Sequence, residues 1–162
     1  MHRLRPILLA VVLLLPAICR AAEMCPWVNA ATAGGVLGGT VEMTVTRRDP
    51  NKDDANCDFV RKRGAVLYEL RIEVQTMGEA VKEFGSFRSR CGSDARPLKA
   101  IGNEALACSV DDKSGHRTAQ VVSRVRDRAF IVRVTTTDSA ITPDALIEKA
   151  RGMAEQVAGN LF

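Results

Sequence analysis

Four of the five cysteines, Cys25, Cys57, Cys91 and Cys108, constrain this chain more than any other feature it carries. An even set of well-separated thiols in an exported chain reads as a disulfide framework, whereas in a reducing compartment it reads as metal ligation or chemistry. No C-x-x-C pair occurs, and His116 is the only histidine after His2, so the donor spacing of a structural zinc site is missing. Two disulfides are therefore expected. Of the three possible connectivities, Cys25 with Cys57 and Cys91 with Cys108 closes the loops that form most easily. Each crosslink removes roughly 3 to 4 kcal/mol of unfolded-chain entropy by loop closure. That matters in a chain of which only 4% is aromatic.

This expectation requires export, and the N-terminus has the pattern for it. Residues 1–21 begin with His2, Arg3 and Arg5, continue through an apolar run over residues 7–15, and end in Cys19-Arg20-Ala21. That is the build of a secretory signal peptide. Cleavage is expected after Ala21, because a cut after Ala22 would place Arg20 where a small side chain is required. The apolar run is well short of the ~20 residues of a membrane span, and Pro16 interrupts it. Cys19 follows Ile18, where a lipidation site has a small residue. The expected organisation is a signal peptide, residues 1–21, and one exported domain, residues 22–162, periplasmic or secreted, with no membrane span after processing. Two good cores do not fit in that length.

The same leader explains the charge. The formal net charge is +4, which points toward a polyanion partner only until the basic residues are located. Arg3, Arg5 and Arg20 all lie in the leader and no acidic residue precedes Glu23, so the remaining chain is close to neutral. Nucleic acid is not an expected partner.

Hydrophobic periodicity supplies the elements. Residues 25–39 suit a short helix, with Pro26 near its first turn, Val28, Ala31, Val36 and Leu37 available for burial, and Gly34-Gly35 and Gly38-Gly39 limiting its length. Val41, Met43 and Val45 alternate with Glu42, Thr44 and Thr46 as in a half-buried strand. Residues 48–56 are polar, contain Asp49-Pro50-Asn51, and read as an exposed loop. Val66, Tyr68, Leu70, Ile72 and Val74 then oppose Glu69, Arg71 and Glu73, which implies an antiparallel sheet covered on one side. Thr76-Met77-Gly78-Glu79 has capping-box spacing ahead of Ala80, Val81, Phe84 and Phe87, whose helical stripe is expected on the sheet's dry face. Residues 104–110 form a further strand, and residues 119–126 and 129–136 a hairpin around Asp127-Arg128, with Val121, Val125, Phe130, Val132 and Val134 on one face. Thr142-Pro143-Asp144 opens a last helix with Leu146, Ala150, Met153, Ala154, Val157 and Leu161 at three- and four-residue steps. The expected fold class is α+β, an antiparallel sheet of about five to six strands packed against helices and stapled by two disulfides.

Cys25 ahead of a short helix ending Leu37-Gly38, Cys57-x-Phe59 beginning the second strand region, Ile101-Gly102-Asn103-Glu104-Ala105 before a strand, and a long closing amphipathic helix together resemble a family of exported bacterial domains of unknown function. That family is related to extracellular kinase sensor domains with a PsbP-like α/β sandwich. The resemblance covers nearly the whole chain after the leader, on short motifs. Members often have a glycine-aspartate pair where this chain has Gly102-Asn103, and many are lipoproteins. The resemblance implies a fold and a cell-envelope setting, and no catalytic residues.

The glycines over residues 34–39 lack the strand-then-helix context of a phosphate loop and read as helix termination. His116 lies in a polar turn, and a nucleophilic partnership with Ser114 or Ser123 requires geometry beyond the reach of sequence. Asp53-Asp54 and Asp111-Asp112 read as exposed loop acids without calcium-loop spacing. Arg61-Lys62-Arg63 is a short cationic run. Arg124, Arg126 and Arg133 are expected to project from the hairpin's outer face with Arg128 at its turn, as a solvated face or as an anion- or partner-binding cluster. Trp27 and Tyr68 could line an aromatic cleft, although Tyr68 falls on the apolar strand face and reads as core. Phe162 ends a helical pattern rather than the alternating segments of an outer-membrane barrel. No catalytic set, cofactor or metal is expected. The functional expectation is a non-enzymatic exported domain, sensor-like, binding a small ligand or an envelope protein, with a structural or accessory subunit of an envelope assembly as the alternative.

Overall fold

The computed structural model describes residues 24–47, 54–110 and 115–162. The signal-peptide reading of residues 1–21 lies outside these residues, as do Asp53, Asp111, Asp112 and Ser114.

The chain is α+β, with seven strands rather than five or six. In order it forms α1 (Ala30–Leu37), β1 (Glu42–Arg47), β2 (Ala55–Arg63), β3 (Val66–Thr76), α2 (Ala80–Arg88), a 3-10 segment (Ser89–Asp94), β4 (Arg96–Leu98), β5 (Glu104–Ser109), β6 (Arg117–Val125), β7 (Arg128–Thr136) and α3 (Pro143–Leu161). Every neighbouring pair is antiparallel, in the order β1-β2-β3-β7-β6-β5-β4. Both disulfides take the expected connectivity. Cys25–Cys57 ties the segment before α1 to β2, and Cys91–Cys108 ties the 3-10 segment to β5.

Local chemistry sets each boundary. Asn29 caps α1 by accepting the Thr32 N–H at 2.8 Å. Gly34 and Gly35 lie inside this helix rather than closing it. Closure comes at Gly38, φ +80°, where the N–H groups of Gly38 and Gly39 both return to the Gly34 carbonyl. A Cβ on Gly34 would stand 2.6 Å from the Gly39 oxygen, so the return needs glycine at both of its ends. Thr142 caps α3 through the Ala145 N–H, with Pro143 in the first turn, where a missing N–H costs nothing.

Four expectations are corrected here. The capping box at Thr76 does not form: Thr76 ends β3, with its N–H and hydroxyl both donating to the buried Asp54, and α2 begins after Glu79, whose N–H donates to Glu83. Asp54 is accordingly not an exposed loop acid; its carboxylate accepts both Thr76 donors, which fastens the start of β2 to the end of β3. The third correction concerns the covering of the sheet. α1 and α3 pack on one face over Phe59, Leu70, Ile72, Phe130 and Val132. α2 and the 3-10 segment lie on the opposite face, where Phe84, Phe87 and Cys91 meet Cys108, Val122, Ala129 and Ile131. The reason is in the strands. β3 alternates strictly and stays wet on one side, whereas β6 and β7 carry Val121-Val122 and Ala129-Phe130-Ile131-Val132, the continuous apolar runs of strands buried on both faces. Val81, expected in the α2 stripe, points to solvent at 77% exposure.

Candidate functional site

The arginines singled out from sequence sit at the β6–β7 hairpin. Arg124 and Arg133 project from the face opposite Val121, Val125, Phe130 and Val132, but the register pairs Arg124 with Ala129 and Arg133 with Gln120. At ~3.3 Å per residue that places them roughly 13 Å apart along the strands. Each has a partner within the fold. Arg124 donates to Glu104 Oε1 at 2.9 Å and to the Arg126 carbonyl, and its guanidinium lies 6.0 Å from the centre of the Phe84 ring. Arg133 donates through Nε and Nη2 to Gln120 Oε1. The turn is Arg126-Asp127 rather than Asp127-Arg128, so Arg126 leaves the outer strand face and Arg128 opens β7 opposite Val125; both line a 350 Å³ cavity with Trp27, Asp127 and Asn160. Arg133 stands apart from the other three.

The turn itself is held by Asn103, just ahead of β5. Asn103 Oδ1 accepts the Arg126 N–H at 2.7 Å, and the Asn103 N–H donates to the Arg124 carbonyl. Arg126 is left-handed at φ +54°, so its backbone depends on that side-chain acceptor. An aspartate at position 103 would offer the same acceptor oxygen.

The opposite end of the sheet holds a cavity that the sequence reading missed. There the inner-face row runs Arg61, Tyr68, Thr136, Arg117 across β2, β3, β7 and β6. Above this row the end of α1 and the start of α3 leave a 250 Å³ cavity. Its walls are Val36, Leu37, Val134, Ile141 and Leu146, and its polar groups are Arg61, Arg63, Tyr68, Thr136 and Lys149. Arg61 donates to the Leu37 carbonyl at 2.8 Å, and Lys149 donates to the Val36 carbonyl. Those carbonyls are the negative end of the α1 dipole, which holds both cations against it. The Arg61 guanidinium also lies 5.0 Å from the centre of the Tyr68 ring. Arg117 donates to the Ser139 and Ile141 carbonyls and so pins the chain leading into α3.

One carboxylate faces these cations. The Tyr68 hydroxyl donates to Asp138 Oδ2 at 2.6 Å, and Arg63 approaches the same oxygen at 3.9 Å. The hydrogen bond from Tyr68, then the Ala140 N–H, hold the Asp138 carboxyl below its ordinary 3.8, helped by Arg63 and Arg117. The same bond, with burial, pushes the Tyr68 phenol above 10.0. Neither Arg61 nor Lys149 has a carboxylate partner among the described residues. The site therefore has an excess of positive charge beside apolar walls. A sequence signal for it exists: Ala55, Cys57, Phe59, Arg61 and Arg63 occupy one alternating face of β2, so the last two cations continue the buried row.

The remaining candidates separate. Ser123 is fully buried, its hydroxyl within reach of the Ile101 and Glu104 carbonyls, while His116 precedes β6 at that strand's far end, some seven residues or about 23 Å away. Trp27 and Tyr68 line different cavities. Among the described residues no group of three His, Cys, Asp or Glu side chains is placed to hold a metal ion, and no helix is long and apolar enough to cross a membrane. Compared with protein-family models, curated proteins and solved structures, the chain matches none.

Proposed function

We propose that this chain is a non-enzymatic exported binding domain, periplasmic or secreted and sensor-like in character, and that a small ligand occupies the cavity beneath α1 and α3. One observation carries this reading: apolar walls and a few convergent polar groups share one recess, with Arg61 and Lys149 held in place by backbone carbonyls. Binding sites for small molecules are built this way, apolar over most of their lining with a few polar groups that fix orientation. The ordering of both cations before any ligand arrives lowers the entropy that binding has to overcome. The leader over residues 1–21 and the two disulfides support a cell-envelope setting, as does the resemblance to exported sensor-related domains.

Native mass spectrometry of the mature oxidised protein, alone and after incubation with envelope extract, tests this. The expected result is a monomer-sized species that acquires a small mass from the extract and loses it when the cavity is altered by Val134→Phe. A stable hetero-assembly with no small-molecule adduct would overturn ligand binding and assign the accessory-subunit role instead.

A further inference from the structure

The chemistry of the same cavity, taken as the ligand site proposed above, also narrows the class of ligand. We infer that it takes a small monocarboxylate with an aliphatic or aromatic body. Val36 and Leu37 are consecutive, so the carbonyls that receive Lys149 and Arg61 are neighbours, and the two cationic tips converge at one wall. Each uses one hydrogen bond there, while a guanidinium offers five N–H donors and an ammonium three. Donors therefore remain for an acceptor placed in the recess, and a planar carboxylate matches the guanidinium edge.

Charge selects the sign. Arg61, Arg63 and Lys149 line the cavity, and the nearby carboxylate, Asp138, is already engaged by Tyr68 and Arg63. A cationic ligand would add repulsion, and a neutral one would leave the excess uncompensated. The walls select the rest of the molecule. Val134, Ile141 and Leu146 offer no hydrogen bonds, so a compact anion hydrated on every side would lose water there without replacement, whereas a hydrocarbon body gains by burial. At 250 Å³ the cavity falls just under the ~300 to 1,000 Å³ of drug-sized sites, which restricts the ligand to a short chain or a single ring.

Calorimetric titration of the mature oxidised protein at low ionic strength tests the class, with hexanoate and phenylacetate as probes, their primary amides as neutral isosteres, inorganic phosphate as a compact anion, and decanoate as a lipid-length chain. Expected is binding of the two short acids at least ~10-fold tighter than their amides, the scale of one charge-assisted hydrogen bond, with phosphate and decanoate weaker. Lys149→Gln, which keeps a donor for the Val36 carbonyl, and Arg63→Gln, on a side chain 65% exposed, should each weaken the acids several-fold and leave the amides unchanged. Amide-proton shifts on adding hexanoate should centre on Leu37, Gly38 and Tyr68. Equal binding of acid and amide would overturn the anionic class while leaving ligand binding intact. Phosphate binding tighter than hexanoate would overturn the apolar body, and tighter decanoate would point to a lipid acyl chain and overturn the small-acid assignment. Shifts confined to Trp27 and Arg128 would overturn the site. If no probe binds while envelope extract still delivers a small mass, the class fails and the binding reading survives; if the extract also delivers nothing, both fail.

Discussion

Tyr68 couples the core to the cavity, and its single polar contact makes a testable residue. Its ring is buried against β2 and β7 and its hydroxyl donates to Asp138, so the bond favours an ionised Asp138 and a neutral phenol together. Because folding lowers the Asp138 carboxyl below 3.8, the bond's stabilisation is complete above that value and disappears as pH falls through the lower folded value. Because folding raises the phenol above 10.0, the same stabilisation is complete below that value and is lost as pH climbs through the higher folded one. Thermal melts of Tyr68→Phe should therefore lie below wild type on a plateau from roughly pH 5 to 9 and approach it at both extremes. A constant gap across the whole range would show that the hydroxyl acts by packing alone. At the other end of the sheet, Gly102 holds φ +62° with the Arg124 oxygen 2.3 Å from where a Cβ would stand. Gly102→Ala must strain its own backbone and displace the end of β6, an expected loss of about 2 to 3 kcal/mol in urea unfolding. A loss under half a kcal/mol would show that the β6 end gives way freely.

Among the elements, α3 and β3 were legible because each has one dry face over many residues, and that pattern does not depend on what covers it. β2 was legible only in part: a strand region was expected from Cys57, but the strand already begins at Ala55, inside the expected loop. Its inner face has only Ala55, Cys57 and Phe59 before Arg61 takes over, Asn56 and Asp58 on the other face are polar, and Asn56 read as loop. The polarity makes sense only across strands, since Asp58 stands opposite Arg71 in the register and pairs with it. The cavity was hidden for the same reason: its groups come from α1, β2, β3, β7 and α3, and no local spacing joins Lys149 to Arg61. The four-arginine cluster failed to gather because alternation places side chains on a face but leaves their distance along it to the register. The period of α2 is legible but the face it covers is not, because the apolar outer positions of β6 and β7 decide that, and its own residues show which side packs. Phe84 is 1% exposed and packs in the second core, whereas Val81 is 77% exposed. Phe84→Ala should cost about 3 to 4 kcal/mol, while Val81→Ala should change stability by less than ~0.5 kcal/mol. Comparable losses from both in denaturant unfolding would show that α2 packs in another way.

At the scale of the molecule, two cores of unequal size share one sheet, and each disulfide belongs to one of them. The larger core spans α1, α3 and the inner faces of β2, β3, β5, β6 and β7, and Cys25–Cys57 lies within it. The smaller consists of α2, the 3-10 segment and the outer faces of β5, β6 and β7, and Cys91–Cys108 closes it. Loop closure over 17 residues stabilises by about 3 kcal/mol, and over 32 by nearer 4 kcal/mol. The consequences should differ in kind as well as size. The smaller layer rests on Phe84, Phe87, Met77 and the cystine itself, so it can open while the sheet and α3 stay formed. The Cys91→Ser, Cys108→Ser double variant should raise amide exchange about 100-fold over residues 80–94 and leave α3 near wild-type protection, the ~3 kcal/mol being lost locally. The Cys25→Ser, Cys57→Ser variant removes a tie inside the main core, so exchange should rise across β2, β3 and α3 together. A uniform rise in both variants would mean that the two layers unfold as one unit, and that α2 is as firmly built into the domain as α3.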